Sequence, residues 1–463
     1  MPKTTSYDAL IIGSGQAGNP LATALADAGR RVVLVESFQL GGSCINYGCV
    51  PTKTLLASAE RTHAVRTAAE YGVRTHAPTV DMAAVIERKD ALLRKLRAGI
   101  RSNLTVERPG ITLLQGHARF TGPRSVQVAL ASGETTALTA PLIFINTGTR
   151  PAMPQLDGLN ETPYLTTDQL LDLKELPAHL LIIGGGYIGL EFGQMYRRFG
   201  SQVTIVESGG QVLDREDADV SKALQAALAN EGIEFVLNAR TRRVSRNQAG
   251  ELTLTVDTRT GERRLRGTHL LLATGRTPNT DDLGLDAAGI KTDEHGYIQV
   301  NERLKTGVRG VYALGDVHGG PQFTHISYDD YRVVRDALLR NKRRSAKDRP
   351  LPYAVFTEPQ LGRIGLSETQ AQEQNIPYRV AKLPVSTIGR AQQTGLAAGF
   401  WKILVGEDDR LLGAAILGPE GGDVMAVLQV SMVGRLKYQQ LQEMVWAHPT
   451  WAEALNNVFA RLK

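Results

Sequence analysis

The chain carries one local arrangement twice, and this duplication constrains its fold more than any other feature. A short apolar stretch leads into the turn GSGQAG at 13–18, then into a helical segment and a second apolar stretch that ends at Glu36. A later apolar stretch leads in the same way into GGGYIG at 184–189 and on to Glu207. In both copies the first glycine precedes the glutamate by 23 residues (36 minus 13, and 207 minus 184).

Each turn has the pattern GxGxxG between a strand and a helix, with an acid at the end of the next strand. Glycines at these positions permit a tight turn and let the backbone approach a pyrophosphate closely. The N–H groups at the helix start attract phosphates, and the acid accepts hydrogen bonds from a ribose diol. A single GxGxxG is a weak signal, but two matched copies in this context predict two dinucleotide-binding domains.

The rest of the chain extends this pattern. Short apolar stretches that end in glycine lie at 144–148, 271–275 and 311–315. Asp316 follows the last of them directly, in a position suited to bind a hydroxyl group of a polyol. Farther on, strands alternate with helical stretches, and a final helix is expected from Thr450. We therefore predict an α/β fold with two Rossmann-like dinucleotide-binding domains and a C-terminal α+β domain.

The composition argues against several classes of protein. The 463 residues include 53 basic and 47 acidic ones, and the densest basic cluster, residues 342–349, has no interleaved aromatic side chains. We interpret this cluster as a solvated segment between domains and expect no nucleic acid as a partner. No apolar run approaches the ~20 residues that span a bilayer, so we expect no membrane segment. The short polar start is unlike a signal peptide, which predicts a cytoplasmic protein.

The two cysteines of the chain, Cys44 and Cys49, are only five positions apart. In a regular helix they would be about 7.5 Å apart along the axis and would point in different directions. A disulfide needs Cα atoms within roughly 7 Å, so a bridge between them requires an irregular turn. Gly48 and Pro51 both disfavour a regular helix, and Pro51 suits the first turn of a following one. We therefore predict a strained disulfide, the reducible and redox-active kind.

Two other interpretations of the cysteines are weaker. Zinc needs four ligands, and no second Cys or His pair has suitable spacing, so we expect no metal site. Two inert thiols in a reducing compartment are the other alternative. In that case their concentration in one glycine-rich stretch would have no physical reason.

Together the motifs resemble those of the class I pyridine nucleotide–disulfide oxidoreductases, the family of glutathione reductase, dihydrolipoamide dehydrogenase and mercuric reductase. They occur in the family's order over essentially the whole chain. The motifs are GxGxxG with Glu36, GGSCINYGCVPTK at 41–53, GGGYIGLE at 184–191 with Glu207, ATGRTPN at 273–279, ALGD at 313–316 and HPTWAE at 448–453. The stretches FTHISYDDYRVV at 323–334 and LLGAAILGPEGGDV at 411–424 most resemble the mercuric-reductase-like branch.

The resemblance implies a domain order and two ligands. Residues 1–150 and 276–345 would form an FAD-binding domain, residues 151–275 an NAD(P)-binding domain and residues 346–463 a dimerisation domain. The protein would be a homodimer with an active site shared across the interface. The residues implied to bind FAD are Gly13, Ser14, Gly15, Gly18, Glu36, Ser43, Lys53, Ala118, Thr147, Gly148 and Asp316. The residues implied to bind the nicotinamide nucleotide are Gly184, Gly186, Tyr187, Gly189, Glu207 and Gly275.

The resemblance also implies a different role for each of the two cysteines. Cys49 would face the flavin, and Cys44 would attack the substrate. The partner subunit's His448 would act as general acid–base, because a thiolate leaving group needs a proton and histidine titrates in the right range. Glu453 would orient that histidine.

Three further residues acquire roles only through the resemblance. Lys53 would lie near flavin N5, and Glu191 would be its carboxylate partner. Tyr187 would cover the flavin until the nicotinamide displaces it. Without the motifs, Lys53 and Glu191 would be ordinary polar residues on helices.

The second glutamate also predicts which nucleotide is used. A carboxylate at Glu207 would bind the ribose diol of NADH and repel the 2′-phosphate of NADPH, where users of NADPH commonly place an arginine. No arginine or lysine follows before Arg215. We expect NADH to be preferred to NADPH.

The sequence does not name the electron acceptor. Mercuric reductases carry an additional C-terminal cysteine pair that delivers the metal, and a chain with two cysteines in total lacks it. We expect an FAD-dependent NAD(P)H oxidoreductase that passes electrons through Cys44 and Cys49 to a disulfide, a thiol-bound metal or an oxidant. The alternatives are a dihydrolipoamide dehydrogenase and a non-enzymatic flavoprotein redox sensor.

Overall fold

The structure of the protein, a computed structural model, describes residues 4–347 and 349–463. It is a mixed α/β structure with several sheets, as the sequence predicts. The strands of the described residues are β1 (Thr4–Ser6), β2 (Ala9–Ile12), β3 (Val32–Glu36), β4 (Ile111–Gly122), β5 (Ser125–Leu130), β6 (Thr135–Thr139), β7 (Leu142–Ile145), β8 (Thr149–Pro151), β9 (His179–Ile183), β10 (Gln202–Val206), β11 (Ile233–Val236), β12 (Arg240–Arg246), β13 (Leu252–Thr258), β14 (Gly261–Gly267), β15 (His269–Leu272), β16 (Arg276–Pro278), β17 (Val311–Ala313), β18 (Tyr353–Val355), β19 (Gln360–Gly365), β20 (Arg379–Pro384), β21 (Phe400–Val405) and β22 (Leu411–Gly418).

The α-helices of the same residues are α1 (Gly18–Asp27), α2 (Gly42–Asn46), α3 (Cys49–Thr67), α4 (Met82–Thr105), α5 (Thr167–Leu170), α6 (Tyr187–Phe199), α7 (Ala218–Asn230), α8 (Leu285–Ala288), α9 (Thr324–Leu339), α10 (Glu368–Glu373), α11 (Gly389–Thr394), α12 (Gly421–Val433), α13 (Tyr438–Gln442) and α14 (Leu455–Val458). Short 3-10 turns occupy Ala68–Tyr71, Leu159–Glu161, Gly315–His318, Val385–Thr387, Ala452–Ala454 and Phe459–Arg461. None of the helices formed by residues 4–347 and 349–463 is long and apolar enough to cross a membrane.

The chain divides into two compact units, and the first is built on an eight-stranded sheet. This unit consists of Met1–Leu55, Ala83–Ala152 and Gly275–Arg349. Its strand order is β1-β6-β5-β4-β3-β2-β7-β17. Strands β4, β3, β2, β7 and β17 pair in parallel, while β4 turns to antiparallel pairing with β5 through its second half. The carboxyl ends of parallel strands lie at one edge, so the glycine turns that follow β2 and β7 come together there.

Alternation along the parallel strands separates two cores in this first unit. Leu10 and Val33 face one side of the sheet and pack in one apolar cluster, whereas Ile11 and Leu34 face the other. Leu21 of α1 packs on the second side. Strands covered on both faces consist of nearly continuous apolar runs, which explains why ALII and VVLV have no polar alternation.

The second unit consists of Leu56–Met82, Met153–Thr274 and Pro350–Lys463. It contains a four-stranded parallel sheet in the order β11-β10-β9-β15, which carries the second glycine turn after β9. A three-stranded antiparallel sheet, β12-β13-β14, packs its apolar face against the same core. A five-stranded antiparallel sheet in the order β18-β19-β22-β21-β20 forms the C-terminal part, with α12 packed on it.

In the basic cluster at 342–349, Lys342, Arg343, Arg344 and Lys347 are exposed, as expected, whereas Arg349 is half-buried. The guanidinium of Arg349 lies 2.6 Å from Asp330, which is fully buried, and the guanidinium of Arg344 lies 2.5 Å from Asp329. Both acids belong to α9. Two of the basic side chains therefore form ion pairs with carboxylates of α9 that are themselves largely buried.

The last segment also differs from the single helix expected from Thr450. Residues from Ala452 onward form a 3-10 turn, the one-turn helix α14 and another 3-10 turn. The side-chain amide of Asn456 donates to the carbonyl oxygens of Gln442 and Met444, at 2.6 and 3.0 Å. These hydrogen bonds bind the segment to the loop after α13 and compete with a regular helix.

Candidate functional site

The first glycine turn has the geometry that its sequence requires. Gly13 has φ +102°, and a Cβ there would lie 2.3 Å from the carbonyl oxygen of Asn146. A Cβ on Gly18 would lie 2.3 Å from the carbonyl oxygen of Gly13, so α1 packs closely against the turn. Side chains are excluded at both positions, which leaves the backbone itself as the binding surface.

Glu36 is held in place by the same turn. Its Oε2 accepts the backbone N–H of Ser14 at 2.8 Å, and its Oε1 accepts the N–H of Phe38 at 2.8 Å. Burial raises the pKa of Glu36, and the N–H donors of Phe38 and Ser14 oppose this rise. The N–H of Ser37 contributes as well, and a carboxylate, with about four lone-pair sites, can still accept a hydrogen bond from a diol.

The second turn repeats this construction. Gly184 has φ +114°, and a Cβ on Gly189 would lie 2.1 Å from the carbonyl oxygen of Gly184. Glu207 accepts the N–H of Gly185 at 2.7 Å through Oε2 and the N–H of Gly209 at 2.7 Å through Oε1. In both copies, therefore, a backbone N–H of the glycine turn donates to the glutamate at the end of the next strand.

The middle glycines show a difference between the two turns that bears on ligand fit. A Cβ on Gly15 would lie 2.6 Å from Oδ1 of Asn146, so the protein itself demands glycine there. A Cβ on Gly186 would meet no protein atom within 4 Å. Packing within the protein does not require a glycine at position 186. Close approach of a pyrophosphate to the backbone explains why a glycine is there. Both turns therefore fit a dinucleotide.

Asn146, at the end of β7, is a functional residue that sequence analysis missed. Its buried side chain accepts the N–H of Gly18 at 2.9 Å and donates to the carbonyl oxygen of Leu314 at 2.8 Å. It thus joins the first glycine turn to the segment that leads to Asp316. A polar residue at the end of a buried apolar strand was the available signal.

Asp316 lies in the 3-10 turn after β17, within the first unit. Oγ1 of Thr149 donates to its Oδ2 at 3.3 Å. Burial raises the pKa of Asp316, and the nearby Arg276 guanidinium opposes this rise. A half-buried carboxylate after a parallel strand can accept hydrogen bonds from a polyol, as the sequence predicted for this position.

The other residues implied to bind FAD have varied environments. Thr147 donates through Oγ1 to the carbonyl oxygen of Asn279 at 2.9 Å, and Gly148 has φ +67° with open space around a Cβ. Ala118 is buried, and its methyl group belongs to the core of the first unit. Only its backbone is therefore available to a ligand. Ser43 lies in α2 and is half-buried.

The remaining implied residues fall on different elements, and each is described within its own unit. Lys53 lies one turn into α3 and is half-buried, while Tyr187 is the first residue of α6. Glu191, in α6, is buried and accepts the N–H of Phe356 at 2.9 Å. Gly275 has φ +105° and open space around a Cβ.

The cysteine pair lies at a break between two helices. Helix α2 ends at Asn46, Tyr47 has φ −145° and ψ 14°, and α3 begins at Cys49 with Pro51 in its first turn. This is the irregular turn that a contact between the two sulfurs requires. The Cys44 and Cys49 side chains are hydrogen-bonded to each other. Cys44 is half-buried, and Cys49 is exposed.

The surroundings of Cys44 act on the pKa of its thiol in opposite directions. The hydrogen bond with Cys49 and burial raise the pKa of the Cys44 thiol, and Thr324 lowers it. Oγ1 of Thr324 lies 3.2 Å from Sγ of Cys49. Thr324 is the second residue that sequence analysis missed, and nothing in its local sequence signals a contact across 275 positions.

His448 and Glu453 are brought together in the second unit. Nδ1 of His448 lies 2.9 Å from Oε2 and 3.0 Å from Oε1 of Glu453. The His448 side chain is 71% exposed, so its second ring nitrogen is accessible. Among residues 4–347 and 349–463, no group of three or more His, Cys, Asp or Glu side chains is placed to hold a metal ion.

Comparison with known families identifies this construction. A family profile described as "Pyridine nucleotide-disulphide oxidoreductase" matches residues 7–330. The chain belongs to the pyridine nucleotide–disulphide oxidoreductase family. A second profile, described as the dimerisation domain of the same family, matches residues 351–459. The predicted family and fold class are confirmed.

Three relatives show where the protein falls within this family. It is 39% identical to "Probable pyridine nucleotide-disulfide oxidoreductase RclA" of Escherichia coli (strain K12), over 99% of both chains. It is 36% identical to a mercuric reductase of Streptomyces lividans, over 97% of this chain and 95% of that one. It is 34% identical to a dihydrolipoyl dehydrogenase of Thermus scotoductus, over 97% and 96%.

A solved structure agrees with these relatives. The structure described as "Cu(II) complex of HOCl-induced flavoprotein disulfide reductase RclA from Escherichia coli" superposes with a TM-score of 0.88 at 38% identity, covering 98% of this chain and 99% of that one. The protein is therefore an oxidoreductase of the pyridine nucleotide–disulphide family, which uses FAD and NAD(P)H. The dimerisation domain makes it a homodimer. The family and the relatives are enzymes, which agrees with the prediction of an enzyme.

Proposed function

We propose that the protein is an NADH-dependent reductase that delivers electrons to its acceptor through Cys44, with Cys49 as the sulfur next to the flavin. The observation that carries this proposal is the contact between the two thiols at the break between α2 and α3. Two thiols in hydrogen-bond contact can alternate between a dithiol and a disulfide without a large movement. When bound, FAD carries two electrons from the nicotinamide to this pair.

The different environments of the two thiols support different roles, since Cys44 is half-buried and Cys49 is exposed. The hydrogen bond with Cys49 and burial raise the pKa of Cys44, which disfavours its thiolate. Cys44 then needs a base before it can attack an acceptor, since the thiolate is the nucleophile. We propose that the partner subunit's His448 is this base.

The hydrogen bond to Glu453 suits His448 for that task. A carboxylate at Nδ1 fixes the orientation of the ring and stabilises its protonated form. The other nitrogen can then take the proton of Cys44 and return it to a leaving thiolate. Because His448 is exposed on its own chain, we propose that it lies in the shared interface of the homodimer.

The proposed ligand sites use the residues implied by the sequence. We propose that the first glycine turn with Glu36, Asn146 and Asp316 binds FAD, and that the second turn with Glu207 binds the nicotinamide nucleotide. Lys53 with Glu191, and Tyr187, keep their proposed places around the flavin. The segments 1–150 and 276–345, 151–275 and 346–463 keep their proposed roles as FAD, NAD(P) and dimerisation domains.

We propose a preference for NADH on the basis of Glu207. Both of its oxygens are held by backbone N–H groups, so the carboxylate cannot swing away from a ribose bound at the turn. A 2′-phosphate would bring two more negative charges to a fixed anion. The residues that follow directly, Ser208 and Gly209, supply no cation to offset them.

The acceptor is proposed as a class: a disulfide, a thiol-bound metal ion or an oxidant in the cytoplasm. The relatives favour this class, because one is described as an HOCl-induced disulfide reductase with a Cu(II) complex and another as a mercuric reductase. Only two cysteines are present, so the acceptor must reach Cys44 directly. The His448–Glu453 pair and a dihydrolipoyl dehydrogenase relative favour dihydrolipoamide as the second candidate.

A turnover panel tests this proposal. Purified protein would be supplied with NADH and, in turn, 5,5′-dithiobis(2-nitrobenzoate), glutathione disulfide, Cu(II), Hg(II) and lipoamide, with ferricyanide as an acceptor that takes electrons without the thiols. We expect Cys44→Ser to abolish turnover of the disulfides and to retain ferricyanide reduction. Full disulfide turnover by Cys44→Ser contradicts the proposal. Rapid turnover confined to lipoamide and dihydrolipoamide selects the second candidate.

A further inference from the structure

Thr324 is the first residue of the 16-residue helix α9, and its side chain meets both sulfurs of the pair. Its Oγ1 lies 3.2 Å from Sγ of Cys49 and is also hydrogen-bonded to the side chain of Cys44. All three side chains belong to the first unit. A hydroxyl has one proton to donate, so it can serve only one sulfur at a time.

We propose that Thr324 is a positioning residue shared by both sulfurs, and that its hydroxyl donates to whichever sulfur carries the negative charge. The inference rests on the proposed redox role of Cys44 and Cys49. It adds a residue that neither the motifs nor the sequence analysis assigned.

The chemistry of disulfide exchange explains why a shared donor would be useful. In the first step the Cys44 thiolate attacks one sulfur of the acceptor disulfide, a mixed disulfide forms, and the other acceptor sulfur leaves as a thiolate that takes a proton. In the second step the Cys49 thiolate attacks Sγ of Cys44, the Cys44–Cys49 bond forms, and the remaining acceptor thiolate is released. The pair loses two electrons and the acceptor gains them.

The negative charge therefore resides on Cys44 at the start of the first step and on Cys49 at the start of the second. A hydroxyl in contact with both sulfurs needs only a rotation of its O–H bond to follow that charge. Rotation of a hydroxyl is far easier than movement of a helix. Thr324 would thus stabilise each nucleophile in turn without any change of the backbone.

The surroundings of Thr324 favour the same role. The N–H groups of the first turn of a helix carry a partial positive charge, which stabilises a thiolate nearby. Lys53 on α3 and His325 on α9 are the ionisable residues nearest in sequence to Cys49 and to Thr324 on these two elements. Within the pair itself, Cys49 raises the pKa of Cys44, whereas the Thr324 hydroxyl lowers it.

Single-thiol variants provide a direct test, because Cys44→Ala and Cys49→Ala each leave one thiol in the whole chain. In each background, Thr324→Val removes the hydroxyl at nearly constant shape, and Thr324→Ser retains it. The measurement is the rate of alkylation of the FAD-loaded, reduced protein by iodoacetamide as a function of pH. Flavin content and circular dichroism identify any variant that fails to fold, and Thr324→Ala then replaces Thr324→Val.

We expect Thr324→Val to raise the apparent pKa of the remaining thiol by about one unit in both backgrounds, which corresponds to roughly tenfold slower alkylation below that pKa. Thr324→Ser should leave both profiles close to those of the parents. A profile unchanged by Thr324→Val overturns the proposal. So does a shift confined to one cysteine, or an equal shift for Val and Ser. Alkylation requires no turnover, so this result is independent of the acceptor and of the proposed function.

Discussion

Nδ1 of His448 lies 2.9 Å from Oε2 of Glu453, and the carboxylate brackets that nitrogen with both oxygens. The ring is thereby held with its other nitrogen directed away from the carboxylate and accessible. A histidine fixed in this way needs no rearrangement before it accepts a proton. In the proposed mechanism, His448 and Glu453 carry out the proton transfer.

His448→Gln should lower kcat/KM for a disulfide by about 10²- to 10⁴-fold, the usual contribution of a general acid–base. Glu453→Gln should cause a smaller loss, because the ring keeps one hydrogen-bond partner. Steady-state kinetics with NADH and 5,5′-dithiobis(2-nitrobenzoate) measure both effects. Ferricyanide reduction, which bypasses the thiols, serves as the control and should be unchanged. Equal losses with both acceptors would show that His448 acts elsewhere.

Glu207→Ala should reduce kcat/KM for NADH by about tenfold or more, since a hydrogen bond to a charged group is worth roughly 1.5–3 kcal/mol. The activity with NADPH should fall much less, because the repulsion of the 2′-phosphate is also removed. Glu207→Gln is the matched control, as it retains an oxygen that accepts an N–H of the turn. A parent enzyme that already prefers NADPH would refute the expectation.

Asn146→Ala should destabilise the protein and weaken its retention of FAD. The substitution leaves the buried N–H of Gly18 and the carbonyl oxygen of Leu314 without their partner, at about 1–3 kcal/mol for each group. Urea unfolding and the flavin-to-protein absorbance ratio after gel filtration measure the two effects. Asn146→Asp keeps the acceptor for Gly18 and loses the donor to Leu314, so its loss should be intermediate. A fully stable, flavin-replete Asn146→Ala protein would be inconsistent with this role.

The homodimer should use an apolar surface of the C-terminal segment. Val430, Val433 and Val445 are 71%, 69% and 97% exposed and lie within the region matched by the dimerisation profile. Charged residues are depleted from the buried centre of dimer interfaces. The double variant Val430→Glu, Val433→Glu should therefore shift sedimentation velocity towards the monomer. Val106→Glu, at an exposed valine outside that region, is the matched control. If the double variant sediments as the parent does, the interface lies elsewhere.

Much of the fold follows from local sequence rules. Strands β2 and β9 lead directly into the two glycine turns, and β3 and β10 end at Glu36 and just before Glu207, as predicted, because buried apolar runs bounded by glycine turns allow few alternatives. The break before Cys49 was also predicted, from Gly48 and Pro51. The broken final segment was not, since hydrogen bonds of Asn456 to a preceding loop override its helical composition.

Prediction of the candidate site from the sequence was limited in the same way by contacts between distant segments. Glu36 and Glu207 could be placed at their turns because their partners are near in sequence and the spacing recurs. The contacts of Thr324 and Asn146 could not be predicted, because they join segments 275 and 168 positions apart. Only the assembled sheet brings such segments together. Arg349 was misjudged for a related reason, since its sequence context is basic while its partner Asp330 is buried on α9.

We propose that electrons leave through an asymmetric cysteine pair with Cys49 on the flavin side. Anaerobic titration with NADH, followed by absorbance at long wavelength, tests it most directly. A band from contact between a thiolate and the flavin should appear in the parent protein and in Cys44→Ser, and should be absent from Cys49→Ser. Retention of the band in Cys49→Ser with its loss in Cys44→Ser would show that Cys44 is the sulfur next to the flavin. Absence of the band from the parent protein would contradict any contact between a thiolate of the pair and the flavin.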